Sequence, residues 1–325
     1  MKIYYTDHYV LPLPAGHRFP MRKYAALRER VATVAASRRV ESPAATIEEL
    51  LRVHDACYVD SVMAGTLEPA AIKRIGFPWS PAMVERSRRS TGATIAACRS
   101  ALHDGCGVNL AGGTHHAHAG FGEGFCVFND AAVAARVLQA EGIGQVAIID
   151  LDVHQGDGTA SIFAGDPSVF TFSMHGRGNF PFRKARSDLD IELMDGTGDA
   201  AYLATLEVAL PQALAAAQPA LAIYLAGADP YAGDRLGRLA LSKAGLRQRD
   251  AYVLGRLREL RIPVAVVMAG GYADDITDIV DIHFATVCTA LELFAPAVAL
   301  EVTPKPHISL RAARLAGSDP AVPAC

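Results

Sequence analysis

VAIIDLDVHQGDG, residues 146–158, decides the fold. It opens as a continuous apolar run of strand length and passes through glycines toward a short helix, as a strand buried on both faces does. Working outward, the same alternation returns. Upstream, residues 45–64 and 80–104 read as amphipathic helices, VNLAGG (108–113) as a short strand and DAAVAARVLQAEG (130–142) as a helix ending at Gly142. Downstream, VFTFSMH (169–175) reads as a strand, 199–217 as a helix and ALAIYLAG (220–227) as a buried strand. A helix over 244–260 then leads to PVAVVMAGG (263–271), and a last helix covers about 279–294. Strands alternating with helices require crossover connections, so the expectation is one α/β domain with a central, mainly parallel β-sheet and helices on both faces. That domain spans 1–300, with 301–325 a proline-containing C-terminal extension.

Composition excludes little but steers the reading. The 325 residues are 51% hydrophobic and 20% charged with a formal net charge of −3, which offers no electrostatic reason to expect direct nucleic-acid or anionic-membrane binding. The run RSRR (86–89) is the best basic patch and reads as a solvated helix face. The apolar window 208–228 is interrupted by Pro211, Gln212, Gln218 and Pro219, so it reads as a helix feeding a strand and not as a membrane span. Six scattered cysteines without a CxxC pair, and an N-terminus without a basic segment before an apolar one, fit a cytoplasmic protein with free thiols.

Chemistry gathers where strands end, which is where ligands bind in open α/β sheets. Those ends read AGGTHH, DLDVHQGDG, SMHG, AGADPYAGD and MAGGY. Extending the strand through DLDVH places Asp150, Asp152 and His154 on one face, costly to bury unless paired or bound to a metal. Asp152 and His154 with Asp229 form a donor set suited to zinc, leaving a position open for water. A lone Asp152 or Asp229 would read as a helix cap; the set reads as a metal centre. His115 and His116, in a Gly-rich loop, supply imidazoles whose ordinary pKa suits a general base, and Asp150 and Asp157 are available to fix their tautomers. Either histidine alone would read as a core residue bonded to backbone, and His118 keeps that reading. Tyr272, after Gly270 and Gly271, can donate to an oxyanion, with an ordinary half-buried tyrosine as the competing reading.

Taken in order, GGTHHA, GFCVFND, DLDVHQGDGT, SMH, AGADPYAGD and GGY resemble the zinc-dependent histone deacetylase family of the arginase/deacetylase fold, over roughly residues 108–272. GHRFPMRKY and TDHYVLPLP resemble bacterial members of a class IV-like branch. The resemblance implies a metal-dependent amidohydrolase acting on an acetyl- or other short-acyl-lysine, with Asp152, His154 and Asp229 on Zn²⁺ (or Fe²⁺). It implies His116 as general base and acid, His115 as its electrostatic neighbour, the pairs Asp150–His115 and Asp157–His116, and Tyr272 on the scissile carbonyl. Gly124 and Phe125 match one wall of the acyl-lysine channel, with Phe180 or Phe182 opposite, and Cys126 packs below the site. A structural K⁺ would use Asp150, Asp152, His154, Ser173 and Met174. The segment GRGNFPFRKARSDLDIEL (176–193) departs from the class I form, so acylated lysine in proteins, acetylpolyamines and other small acetylated amines, and longer acyl-lysines all stay open as substrates. Oligomeric state is not legible. Three rivals are weaker. A two-manganese ureohydrolase lacks its DxHxD pattern here, because Gln155 and Gly156 follow the histidine. A non-catalytic acyl-ligand binder would not need both His116 and Tyr272. A serine hydrolase would need a GxSxG elbow, which is missing.

Overall fold

The computed structural model describes residues 1–7, 10–14 and 16–295; the expected extension 301–325 lies outside the described residues. Eight described strands run β1 (Ile3–Tyr5), β2 (Arg39–Glu41), β3 (Cys106–Asn109), β4 (Val146–Asp150), β5 (Val169–Gly176), β6 (Leu189–Leu193), β7 (Leu221–Leu225) and β8 (Val264–Val267). They form one sheet in the order β2-β1-β3-β8-β7-β4-β5-β6, and every registered pair is parallel. The helices are α1 (Lys23–Ala35), α2 (Ile47–Leu50), α3 (Ala56–Ala64), α4 (Pro69–Ile75), α5 (Pro81–Asp104), α6 (Asp130–Ala140), α7 (Asp157–Ile162), α8 (Asp199–Ala217), α9 (Lys243–Glu259) and α10 (Ile276–Phe294).

Strand alternation splits the core in two. Ala147, Ile149, Tyr224 and Val266 face a cluster with residues of α1, α8, α9 and α10, while Ile148, Ile223, Ala265 and Val267 face one built with α3, α5 and α6. Both faces are therefore apolar, which is why the strands read as unbroken hydrophobic runs. Helix α5 starts at Ser80, whose side chain accepts from the Met83 N–H, with Pro81 in its first turn. It crosses β3 so closely that a Cβ on Gly107 would sit 2.1 Å from the Ala97 carbonyl oxygen. Helix α8 is the one described helix long and apolar enough to cross a bilayer; its Tyr202, Leu206, Leu210 and Leu214 belong to the core under the sheet.

Several sequence expectations need correction. The helix expected over 45–64 breaks into α2 and α3. His54 turns inward to place Nδ1 3.0 Å from the His118 carbonyl oxygen, and the Asp55 N–H donates to the Ala119 carbonyl, so a tertiary contact overrides local periodicity. The strand expected over 146–153 stops at Asp150, and that over 108–113 stops at Asn109. Helix α10 starts at Ile276, earlier than expected, because the Asp275 side chain caps the Thr277 N–H. The three-residue strands β1 and β2 are too short to show a period.

All five chemistry-bearing ends lie together, since β5 pairs directly with β4. β3, β8, β7 and β4 are consecutive neighbours at the centre of the sheet, and connections leave them in different directions, which opens a crevice at their carboxyl ends.

Candidate active site

Beyond Asp150 the chain curls through side-chain turns instead of continuing as a strand. The Asp150 Oδ1 accepts from the Asp152 N–H (3.1 Å), and the Asp152 Oδ1 accepts from the His154 N–H (3.0 Å). Strand alternation therefore does not align Asp150, Asp152 and His154, contrary to the sequence expectation. The loop sends Asp150 to His115 while Asp152 and His154 meet Asp229, which β7 delivers. The Val153 N–H donates to Asp229 Oδ1 at 2.9 Å, tying the two segments together.

The three donors converge. His154 Nδ1 lies 3.0 Å from Asp152 Oδ1 and 3.2 Å from Asp229 Oδ2, and all three residues are buried. The second contact is an ion pair that does not meet hydrogen-bond geometry, so the buried Asp229 Oδ2 has no hydrogen-bond donor. A carboxylate oxygen stripped of water and left without a donor is costly unless a cation meets it. Two oxygens and one imidazole nitrogen, mutually within 4.8 Å, fit zinc or ferrous iron. Burial, then the charge of Asp152, pushes the Asp229 carboxyl up to about 7. Burial works against protonated His154, yet the Asp152 and Asp229 carboxylates raise it to about 10, a measure of the negative field there. Gly270 closes the centre: its N–H donates to Asp152 Oδ2 (2.8 Å), and a Cβ there would lie 1.9 Å from Asp229 Oδ2.

The two histidines occupy the loop after β3. His115 Nδ1 is 2.6 Å from Asp150 Oδ2, His116 Nδ1 is 2.7 Å from Asp157 Oδ1, and the rings stand 4.2 Å apart. Their environments drive them apart. Burial opposes a charge on His115, but Asp150 and Asp152 override it and raise the pKa to about 9. Burial and then the His115 charge lower His116 to about 4, so His116 is neutral, with Nδ1–H directed to Asp157 and Nε2 left as the basic nitrogen. Asp130 organises this loop by accepting from the Gly113 and Thr114 N–H groups at 3.0 and 2.7 Å, while Asn129 donates to the Ala117 carbonyl at 3.0 Å. Sequence reading missed both roles, although the pair ends the quoted segment GFCVFND. His118 also departs from expectation. It is half-exposed and stacked on Phe121, and bonds side chains instead of backbone: Ser161 Oγ lies 2.6 Å from Nδ1 and Asp157 Oδ2 3.6 Å from Nε2.

A cavity of 460 Å³ leads to these groups. Tyr272 lines it with its ring 6.4 Å from that of His154, and burial holds the phenol well above its ordinary pKa, keeping it a donor. Phe125 (φ +66°) and Gly124 (φ +56°) form a wall, and a Cβ on Gly124 would lie 2.8 Å from His116. Phe180 packs 4.9 Å from the His116 ring, whereas Phe182, 83% exposed, sits at the rim. Cys126 is buried, and burial raises its thiol well above the ordinary range, which suits packing and not nucleophilic attack. The cavity also runs inward to Tyr24, Arg86 and Ser90. Arg86 is 7% exposed, so the basic run at 86–89 is not the solvated face that the sequence suggested: Arg86 points inward, while Arg88 and Arg89 pair with Glu85.

Residues 17–287 match the profile of the histone deacetylase domain. The chain is a member of the histone deacetylase family. It is 46% identical to an uncharacterized protein of Picosynechococcus sp. over 86% of this chain and 95% of that relative. It is 34% identical to histone deacetylase 2 of Arabidopsis thaliana over 72% of this chain and 63% of the relative. A histone deacetylase-like amidohydrolase of Pseudomonas aeruginosa matches at 30% identity over 81% of this chain and 74% of that protein. Among solved structures, the HDA15 HD domain superposes with a TM-score of 0.74 at 24% identity, covering 88% of this chain and 87% of that one. An acetylpolyamine aminohydrolase from Burkholderia pseudomallei superposes with a TM-score of 0.74 at 20% identity, covering 90% and 99%. The fold and the hydrolase class of this deacetylase-family chain follow from these matches.

Proposed function

We propose that this chain hydrolyses the amide of N-acyl-lysine, with Asp152, His154 and Asp229 as ligands of a divalent metal, zinc by preference. One observation carries the reading: His116, held by Asp157 at 2.7 Å, lines the same cavity as Asp152 and His154, whose partner Asp229 keeps an unmatched buried oxygen. A divalent cation bound there supplies Lewis acidity to a carbonyl and lowers the pKa of water. His116 takes a proton from the attacking water and returns it to the leaving amine. His115, charged beside Asp150, holds the local field and keeps His116 neutral. Tyr272 donates its phenolic hydrogen to the carbonyl oxygen as negative charge develops. Gly124, Phe125 and Phe180 confine the lysine stem, with Phe182 at the channel mouth. A K⁺ site remains part of the proposal, since Asp150 and Ser173 are register partners on β4 and β5.

The mouth favours lysine in a protein over an acetylpolyamine. Arg18, Lys73, Arg74 and Arg238 line the cavity and are exposed, against one exposed or half-exposed acid, Glu123. A polycation meets like charge there. The test is turnover by zinc-loaded protein of acetyl-lysine peptides against acetylpolyamines, with His116→Ala as control. The proposal expects peptide turnover that the variant loses; full activity in the variant removes His116 from the base role.

A further inference from the structure

The cavity wall carries one buried cation, Arg86, and a second, Lys23, is buried nearby against the same aromatic ring. Arg86 comes from α5 and stands 4.5 Å over the Tyr24 ring; Lys23, from α1, places Nζ 5.4 Å from the same ring. Both residues are buried. Lys23 donates to the Ala269 and Gly271 carbonyls at 3.4 and 3.3 Å. Among the described residues neither makes an ion pair, and the buried Arg86 Nε has no acceptor. A guanidinium removed from water without an acceptor is unfavourable, and an aromatic face compensates only part of that loss. It lies on the wall of the cavity that His116 and Tyr272 also line. The Tyr272 ring is 6.2 Å from the Phe19 ring, and the Arg86 guanidinium is 5.9 Å from that same ring.

We propose that Arg86 builds a carboxylate subsite at the inner end of the acyl cavity, and that this chain removes lysine acyl groups that end in a carboxylate, of the malonyl, succinyl or glutaryl type. The inference rests on the deacylase reading above and names its substrate. The planar guanidinium presents a fork that matches a carboxylate with two parallel hydrogen bonds. Lys23, 5.4 Å from the same Tyr24 ring, adds a second positive charge. An acyl chain that reaches inward past Tyr272 carries its terminal carboxylate toward Arg86, while a neutral chain leaves that guanidinium without an acceptor. The reaction balances as hydrolysis. The amide C–N bond breaks, a C–O bond forms to the water oxygen, a water proton passes through His116 to the amine, and a dicarboxylate leaves. No oxidant or further reactant is needed.

Zinc-loaded protein is tested on one peptide carrying succinyl-lysine or size-matched butyryl-lysine, with malonyl and glutaryl forms to locate the best length. The expected result is a higher kcat/KM for succinyl than for butyryl. In Arg86→Gln that ratio falls at least about 30-fold, and Arg86→Lys restores part of it. In parallel, calorimetry with succinate and with acetate should show Arg86-dependent binding that favours the dicarboxylate. Wild-type preference for butyryl, an equal loss on both peptides in Arg86→Gln, or equal Arg86-dependent binding of acetate and succinate would overturn the subsite as a selector of the acyl chain. If no acyl peptide is cleaved but succinate still binds through Arg86, the deacylase reading fails and the anion subsite survives. Cleavage without Arg86-dependent selectivity removes the subsite and leaves the deacylase reading standing.

Discussion

Replacing Gly270 with alanine tests the metal centre without touching a ligand. The added Cβ would meet Asp229 Oδ2 at 1.9 Å and Asp152 Oδ2 at 2.6 Å, both far inside van der Waals contact. Ordinary contact begins near 3.4 Å, so the Asp229 oxygen must retreat by about 1.5 Å. A metal–ligand distance tolerates only about ±0.2 Å, so such a retreat removes one of three protein ligands. Perturbing an outer partner of a metal site costs about 10–100-fold in affinity, and displacing a ligand should cost at least the upper end of that range. Overpacking should also cost about 1–3 kcal/mol of stability, a Tm decrease of roughly 1.5–5 °C for a chain of this length. Zinc affinity is measured by competition with a chromogenic chelator, and Tm by calorimetry on metal-free protein. Gly255→Ala is the control: its site in α9 is open, and alanine there should leave zinc affinity intact and stabilise by about 0.5–1 kcal/mol. Wild-type zinc affinity in Gly270→Ala would refute the idea that a cation sits between those carboxylates.

Further outcomes follow from the same geometry. Asp157→Asn removes the acceptor that fixes the His116 tautomer, so kcat should fall about 10²–10⁴-fold with zinc affinity retained; a proportionate rise in KM with constant kcat would contradict that role. Tyr272→Phe should lower kcat about 10²–10³-fold while leaving KM near the wild-type value, and steady-state kinetics on one acyl-lysine peptide reads both. Because His116 is neutral down to about 4, the acid limb of kcat/KM should lie below 6.5; a limb at or above 6.5 argues for another base. His54 supplies a stability test away from the metal. Its Nε2 accepts from the Asn129 N–H at 3.0 Å, and burial lowers its pKa to about 4. The unfolded chain takes up this proton below 6.5 and the folded chain does not. The contribution is therefore complete above 6.5 and lost as pH falls toward about 4, by about 3 kcal/mol. Chemical denaturation across that window measures the loss, and a His54 ring resonance titrating near 6.5 by NMR would contradict it.

Local pattern revealed much of the architecture. β4, β7 and β8 are buried on both faces, so each appears as an apolar run, and each chemical group follows its run within a few residues: Asp152, Asp229 and Tyr272. The strands β1 and β2 and the break between α2 and α3 stayed hidden, because pairing partners and the His54 contact are distant in sequence. His118 and Arg86 were misread for a related reason. Sequence reports residue type and spacing, whereas burial depends on what other segments bring to that face.

The order of apolar runs and the motifs at their ends were enough to specify an α/β sheet, a metal-type donor set and a histidine pair. Periodicity and donor chemistry are local properties, carried by the residues themselves. Tertiary structure alone decided that Asp150 serves His115 while Asp152 joins His154 and Asp229, that His116 is the neutral imidazole, and that Arg86 faces the cavity without a counter-ion. Each of these depends on distances between segments far apart in the chain and on the exclusion of water, and both arise only when the central strands pack side by side.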